Sequence, residues 1–546
     1  MPDITINVDG KDVAVPAGIQ LIEALRGPAQ TDTPAFCYHP DLSVAGNCRI
    51  CLVETEGPRG WALGISCHMK TSPGLKVRTQ VSSDKIVKLR KGVMEFLLVN
   101  HPLDCPICDK AGECTLQEHY MGQGRHESRL QDEVGKQYKG GKDFRFIDTK
   151  GEDRGGKHID LGPTVVLDQE RCIICSRCVR FMDEVAKDSQ LAIAGRGDHA
   201  YITTFPGKPL DHGYDLNVTD ICPVGALTGK HFRFQQRVWM LKSVESIDPS
   251  DSLGANITIE YNVGQENGKV WRVMPRRNPS VNKSWLANSS RMVYKELGIN
   301  RLTDGLIKGA DAILSDAIAA AEKALAGARK VAIVTSGHLT TEDNAALLAL
   351  AEKLGARAEI FGGSWLAVDK ADGIARSGDP VANRKALQLL GVPDNLDTLV
   401  ARAGEFDVLL TVGQDLWGPL DANGASKATK LEGIATRIVA SAWSNASTAK
   451  ATIAIGIRAW AEVRGTMVNC NGRVQLLNAC PVVPNQDLEP AWQVVSRLGG
   501  LGWATESEAW RAAVARVPQF AGITYRTVGP QGQAIVETAA PAAVGA

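Results

Sequence analysis

Eleven of the chain's 13 cysteines lie between Cys37 and Cys222, in short-spaced groups with long gaps between them; only Cys470 and Cys480 fall outside. This clustering constrains the fold more than any other feature. In a reducing compartment, closely spaced thiols serve as metal ligands or redox groups more often than as disulfides. The opening Met1-Pro2-Asp3-Ile4-Thr5 has neither the basic start nor the apolar stretch of a secretory signal, so such a compartment is expected.

The first group, Cys37, Cys48, Cys51 and Cys67, has spacing C-x10-C-x2-C-x15-C. Four thiolates suffice for a [2Fe–2S] cluster, and Gly46 beside the Cys48–Cys51 loop lets backbone approach an inorganic core. A structural four-cysteine zinc site uses the same ligands, although such sites usually show two C-x2-C pairs and here there is one. The second group holds Cys105, Cys108 and Cys114 on a loop containing proline and glycine. Its fourth ligand is open. His101 sits where a helix should end and is the nearest candidate; His39, His68, His119 and His126 are rivals, and a Cys3His zinc site is an alternative. The third group, Cys172-x2-Cys175-x2-Cys178, is the run found in bacterial ferredoxins. In two-cluster ferredoxins a further cysteine follows four positions on; Met182 stands there, so a single [4Fe–4S] site is expected, with Cys222 before Pro223 as fourth ligand.

Between the thiols the patterning gives the scaffold. Ile4, Ile6 and Val8 alternate with polar residues, Asp9-Gly10 supplies a tight turn, and Val13 and Val15 continue the alternation, which predicts a hairpin. A short helix follows, with Ile19, Ile22 and Leu25 on one face. A second helix is expected from Asp84 to Val99, capped by Ser83, with Ile86, Leu89, Val93, Phe96 and Leu97 as its apolar stripe. The polar stretch 131–157 reads as surface loop. Beyond about Lys242 cysteine disappears and strands alternate with helices: Val331–Val334, Glu342–Leu354, Ala358–Phe361 and Val408–Val412 predict α/β layering on a mostly parallel sheet. No G-x-G-x-x-G or G-x-x-x-x-G-K-[ST] stands between a strand and a helix. Cys470 and Cys480, with no C-x2-C partner, read as packed or surface thiols. From Gly529 the chain reads as a mobile tail.

Composition matters at two points. The 61 Lys+Arg balance the 61 Asp+Glu and aromatics are 5%, so neither net charge nor base stacking argues for nucleic acid. No run of 18 apolar residues occurs, so no direct membrane insertion is expected.

Phe36–Glu54, with its Cys37, Cys48 and Cys51, resembles the N-terminal cluster motif of the large iron–sulfur subunits of respiratory complex I. Gly92–Cys108, continuing to Cys114, resembles their motif of one histidine and three cysteines; Arg171–Arg180 and Asp220–Thr228 resemble the third motif. Ala461–Asn469 and Gly472–Gln475 are similar to a stretch of the molybdopterin-oxidoreductase-like domain. The resemblance implies a multidomain α+β and α/β chain in five parts: a β-grasp [2Fe–2S] ferredoxin-like domain over 1–80, a [4Fe–4S] segment ligated by His101, Cys105, Cys108 and Cys114 over 81–125, a ferredoxin-like [4Fe–4S] domain over 126–240, a non-catalytic molybdopterin-oxidoreductase-like α/β domain over 241–528, and a tail over 529–546. It implies one [2Fe–2S] and two [4Fe–4S] clusters and no molybdenum cofactor. A further four-cysteine group found in some bacterial relatives is missing, since no cysteine occurs from 223 to 469.

The function so implied is an electron relay between a flavin- and NADH-binding partner subunit and a quinone-side iron–sulfur partner, running from the [2Fe–2S] centre through the Cys172 group to the His101 group. The chain would itself act on neither NADH nor quinone, and would lie peripherally on the cytoplasmic side of a bacterial inner membrane. The competing readings are a diaphorase subunit of an NAD-linked hydrogenase, a formate dehydrogenase subunit, and a zinc-stabilised scaffold.

Overall fold

The computed structural model describes all residues except 1, 100, 125–155, 265–268, 420–423, 425, 483–486 and 536–546. The chain divides into two compact units, Met1–Leu241 and Lys242–Ala546.

The first unit opens with the expected hairpin, β1 (Asp3–Val8) against β2 (Lys11–Pro16). Asp9 and Gly10 turn it with φ of 51° and 85°, left-handed values that glycine takes freely and aspartate tolerates. Next come α1 (Leu21–Arg26), β3 (Leu52–Gly57), β4 (Gly60–Ile65) and β5 (Lys76–Arg78). The sheet order is β2-β1-β5-β3-β4, with β5 parallel to β1 and antiparallel to β3. α1 buries Leu21, Ala24 and Leu25 against Ile6, Val8, Val15, Val53 and Val77, which is the alternate face of the hairpin meeting one helical stripe.

α2 (Asp84–Val99) starts and stops where its caps predict, with Ser83 Oγ accepting from the Ile86 N–H at 3.4 Å. Its inward face differs from the expected stripe. Ile86, Arg90 and Met94 are buried, whereas Phe96 is 82% exposed and Leu89 is 36% exposed. Arg90 is held inside by two of its guanidinium nitrogens, which donate to Leu52 O at 2.8 Å and to Gln80 Oε1. α3 (Thr115–Gln123) follows. The stretch 131–157 lies outside the described residues up to 155.

The rest of the unit is a small ferredoxin-like assembly. It runs through β6 (Ile159–Asp160), β7 (Val165–Leu167), α4 (Arg177–Phe181), β8 (Leu191–Ala194), β9 (Tyr201–Thr204), α5 (Asn217–Ile221) and β10 (Leu227–Gly229). β10, β7 and β6 form one antiparallel sheet. Met182, where a two-cluster ferredoxin would have a cysteine, is fully buried and opens a π-helical turn over Met182–Ala186.

The second unit begins with an antiparallel meander, β11 (Lys242–Ile247), β12 (Asn256–Asn262) and β13 (Lys269–Pro275), followed by α6 (Asn288–Met292). Its main body continues through β14 (Gly305–Ile307), β15 (Ala310–Ala312), α7 (Leu314–Gly327), β16 (Val331–Val334), α8 (Thr341–Leu354) and β17 (Ala358–Phe361). Then come α9 (Arg384–Leu389), α10 (Leu396–Ala401), β18 (Val408–Val412), β19 (Thr436–Ser441), α11 (Ala446–Lys450) and β20 (Ile453–Gly456). These strands form a seven-stranded sheet of order β15-β14-β20-β19-β18-β16-β17, parallel from β20 to β17. Both faces are covered, which is why the strands read as continuous apolar runs. Val331, Ile333, Val408 and Leu410 pack with α7 and α8; Ala332, Val334 and Leu409 pack with Leu396 and Leu399 of α10.

β21 (Gly465–Val468) and β22 (Arg473–Leu477) form a separate hairpin. The stretch from Gly529, read as a tail, is folded through Ile535. Gln533 and Ala534 pair with Val474 and Arg473, while Pro530 O and Gln531 O accept from Arg276 and Asn278 at 2.6 and 2.9 Å. Residues 536–546 lie outside the described residues. Among the described residues no helix is long and apolar enough to cross a membrane.

Candidate iron–sulfur sites

The first group is assembled by the loop that runs into β3, which carries Cys37, Cys48 and Cys51, and by the turn after β4, which carries Cys67. Cys37, Cys51 and Cys67 are buried and Cys48 is half-buried. The four thiols touch one another. Hydrogen bonds from the Cys48 and Cys67 thiols, helped by the backbone N–H groups of Cys48 and Asn47, pull Cys37 far below its ordinary pKa. The Cys67 thiol, aided by its own N–H and by the Ser66 hydroxyl, brings Cys51 down to about 7. Cys48 and Cys67, which donate to neighbouring sulfurs, are pushed up. Arg49, inside the Cys48–Cys51 loop, holds φ at 59°. Arginines surround the group: Arg26, Arg90 and Arg177 all act electrostatically on its thiols.

In the third group Cys175, Cys178 and Cys222 are buried and Cys172 is half-buried. Cys172 and Cys175 come from the loop after β7, Cys178 from α4, and Cys222 from the residue that ends α5. All four line one cavity, walled by Leu167, Ile173, Ile202, Val224 and Leu227. Burial pushes the Cys175 thiol up to about 11 and raises Cys172 and Cys178 as well, with mutual repulsion among the sulfurs adding to it. Ile174 and Ser176, on either side of Cys175, hold φ of 48° and 64°. A β-branched residue in this region costs about 1–3 kcal/mol and persists where the surroundings over-determine it.

In the second group the three cysteines lie on one loop that leads into α3. Cys108 and Cys114 are buried and Cys105 is exposed. The N–H groups of Leu116 and Gln117, at the helix start, donate to Cys114. Gly225 makes the closest approach: a Cβ on it would lie 2.2 Å from Cys108 Sγ and 3.2 Å from Lys110 Cβ. His101 follows the end of α2, its N–H on Leu98 O at 3.2 Å and its Nδ1 buried. Among the rivals, His119 Nε2 is committed elsewhere. It accepts the Ala35 N–H at 3.2 Å, its ring stands edge-on to Phe36, and burial, followed by Arg26, holds its pKa down at about 4. His39 Nδ1 accepts the Asp41 N–H, and His68 is exposed. His126 lies outside the described residues.

The third group stands between the other two. Toward the first, Arg177 donates to Tyr38 O, Arg180 to Cys37 O and Ser43 O, and Asn47 Nδ2 to Ile174 O at 3.3 Å, while Ser43 N–H meets Glu184 at 2.8 Å. Toward the second, the segment just past Cys222 lies on the second group's sulfurs: Cys114 Sγ is 3.7 Å from Pro223 O, and Gly225 abuts Cys108. Arg171 adds a buried cation there, paired with Asp104 and Asp168 at 3.1 Å each. The direct contacts between groups have no sequence signature, since each joins residues more than a hundred positions apart.

The donor sets fit iron–sulfur clusters. Buried thiols that repel one another become thiolates only against a compensating positive centre. The four thiols of the third group ring one cavity. The Arg177 Nε is buried with no partner among the described residues and is a donor still to be satisfied.

In the second unit Cys470 is exposed and Cys480 is fully buried in an apolar cluster with Leu477 and Trp460. A cleft lined by residues following β16, β18 and β19 opens at the carboxyl edge of the seven-stranded sheet, where the neighbours of β16 diverge. The start of α8 beside it is closed by its own capping box: Thr340 Oγ1 accepts the Asp343 N–H at 3.2 Å and Asp343 Oδ2 accepts the Thr340 N–H at 3.0 Å. A buried carboxylate thus occupies the position where a helix start would hold phosphate.

Family models match the chain in four places. Residues 2–82 match a 2Fe-2S iron–sulfur cluster binding domain, 90–129 the NADH-ubiquinone oxidoreductase-G iron–sulfur binding region, 162–228 the ferredoxin-like domain of NADH-quinone oxidoreductase subunit 3, and 241–295 an NDSU1/NuoG-like 4Fe-4S domain. The last of these segments contains no cysteine in this chain. The mitochondrial NADH dehydrogenase [ubiquinone] iron–sulfur protein 1 of Solanum tuberosum is 44% identical over 309 residues, covering 56% of this chain and 38% of that protein. The NADH-ubiquinone oxidoreductase 78 kDa subunit of Candida albicans is 39% identical over 311 residues, covering 57% and 40%, and the 75 kDa subunit of Reclinomonas americana is 40% identical over 306 residues, covering 56% and 40%. The match therefore spans about two fifths of the length of these curated relatives. An NAD+-reducing [NiFe]-hydrogenase chain is 28% identical, covering 43% of this chain and 91% of that one at a TM-score of 0.34, too low to assign a fold.

Proposed function

We propose that this homologue of the large iron–sulfur subunit of complex I works as an electron relay in a proton-pumping NADH:quinone oxidoreductase. Bound clusters, one [2Fe–2S] and two [4Fe–4S], would supply one-electron carriers. Cys37, Cys48, Cys51 and Cys67 would hold the first; Cys172, Cys175, Cys178 and Cys222 the next; His101, Cys105, Cys108 and Cys114 the last. One observation carries the reading: three thiol groups stand in a row, the middle one sharing contacts with each neighbour through Arg177 on one side and Pro223–Gly225 on the other. That supports the order first, third, second.

The chain's own residues position and tune. Arg26, Arg90, Arg171 and Arg177 place positive charge beside thiolate groups, Arg90 and Arg171 from buried positions, which favours the reduced, more negative form of each. Apolar walls around the third group keep water out. The second group has one thiol at the surface, flanked by Leu103 at 72% and Ile107 at 62% exposure, which suits delivery to a quinone-side iron–sulfur partner; the flavin-bearing subunit would supply the first group. We read the second unit as a molybdopterin-oxidoreductase-like scaffold without the cofactor, a reading supported by the doubly covered sheet and by the Asp343 carboxylate at the start of α8. The complex would carry this chain peripherally, on the cytoplasmic side.

Cys175→Ala tests the relay. In the assembled complex it should remove one [4Fe–4S] electron paramagnetic signal and stop NADH-to-quinone flow; full turnover with that signal lost would refute the assignment.

A further inference from the structure

Arg177 lies inside the third cysteine run, between Cys175 and Cys178, yet half of its bonding goes to the first group. Its Nη2 donates to Tyr38 O, the carbonyl next to Cys37 and 139 residues away. Its Nη1 donates to Ile221 O, the carbonyl next to Cys222, at 3.1 Å. Its Nε is buried with no partner among the described residues. The charge is felt on both sides: burial lowers the arginine's pKa, while Cys175 and Cys222 of one group and Cys37 and Cys48 of the other act to raise it. A planar guanidinium presents donors in a fixed fork and stays charged, so it can span two carbonyls at once; a lysine ammonium is a single point on a flexible stem.

We propose that Arg177 is a charge held in common by the first and third cluster sites, raising both reduction potentials together so that the step between them keeps its driving force. This rests on the cluster reading above and adds a residue that ligates nothing. In that step one electron leaves the first site, which is oxidised, and enters the third, which is reduced; no bond or proton moves. A cation near only one site would favour that site and change the step. A cation fixed by one carbonyl from each side cannot drift to either.

The test uses the full chain, isolated anaerobically, as wild type, Arg177→Gln and Arg177→Lys. Iron and acid-labile sulfide are counted first, and the midpoint of each cluster signal is then read by redox titration monitored by paramagnetic resonance. A wild type lacking iron and sulfide overturns the cluster reading and this proposal with it. With clusters present, Arg177→Gln should lower the first and third midpoints together, each by about tenfold in the reduction equilibrium, which is about 59 mV for one electron. The His101-group midpoint should stay in place. Movement of one midpoint alone, or of neither, overturns the shared charge and leaves the cluster reading standing. Should Arg177→Gln lose iron, Arg177→Lys is decisive: its ammonium keeps the charge but not both carbonyls, so the spacing between the two midpoints should change, and wild-type midpoints in that variant overturn the proposal.

Discussion

Gly225→Ala is the sharpest perturbation of the scaffold that brings the second and third groups together. An added Cβ would stand 2.2 Å from Cys108 Sγ, with Lys110 Cβ at 3.2 Å and Arg171 Cδ at 3.7 Å closing the other directions. Non-bonded heavy atoms settle at about 3.5–4.0 Å, so the Cys108 loop and the Pro223–Gly225 segment must part by more than about 1 Å. Overpacking of this kind costs about 1–3 kcal/mol. The larger consequence is positional, because disturbing what supports a metal ligand typically costs about 10–100-fold in affinity. The expected result is loss of the cluster at His101, Cys105, Cys108 and Cys114 alone. Iron should fall from about ten to about six per chain, and one [4Fe–4S] signal should vanish while the other two signals persist. Gly213→Ala is the control, since nothing lies within 4 Å of the Cβ it would add. A Gly225→Ala protein with full iron and three unaltered spectra would refute the packing argument.

His101→Cys should keep the iron and lower that cluster's potential, because a thiolate adds negative charge where an imidazole had none; an unchanged midpoint in a redox titration would point to another fourth ligand. Glu342→Gln addresses the second unit. Glu342 is fully buried, accepts from Thr466 N–H at 2.8 Å and Tyr525 OH at 2.7 Å, and burial pushes its pKa up to about 7 against those bonds. Between the ordinary value of 4.5 and about 7 the folded chain keeps a proton that the unfolded chain has lost, so its contribution to stability is present below 4.5, falls as pH rises, and is gone above about 7. Glutamine carries no such charge and should flatten that slope in calorimetry, gaining at most about 3 kcal/mol relative to wild type above pH 7; parallel pH profiles for the two proteins would contradict the assignment.

The elements that depend on local pattern were legible in the sequence. The Asp9-Gly10 turn, α2 between Ser83 and Val99, and the apolar strands β16, β17 and β18 all follow from side-chain periodicity and caps. The cysteine spacings and the Cys222-Pro223 pair likewise named the four thiols that line one cavity, with Cys222 arriving from the end of α5. The misses have a common cause. Periodicity put Phe96 on the buried face of α2 because it is apolar, and could not foresee that Arg90 takes the inward position by reaching Leu52 O. His119 looked like a possible ligand until Ala35, 84 residues earlier, claimed its Nε2. Gly529–Ile535 looked like a tail because the partners that hold it, Arg276, Asn278 and β22, lie about 60 to 250 residues away. Long-range partners leave no trace in local composition, and the contacts that join the thiol groups are all of that kind.

An electron relay in the first unit needs three sulfide-containing iron cages in one row. Iron, zinc and acid-labile sulfide per folded chain, measured after strictly anaerobic isolation together with the paramagnetic spectrum after dithionite reduction, decide whether they are present. About ten irons with matching sulfide and three distinguishable reduced signals are expected. A folded protein that carries zinc in place of iron, contains no sulfide and stays silent on reduction would contradict the relay.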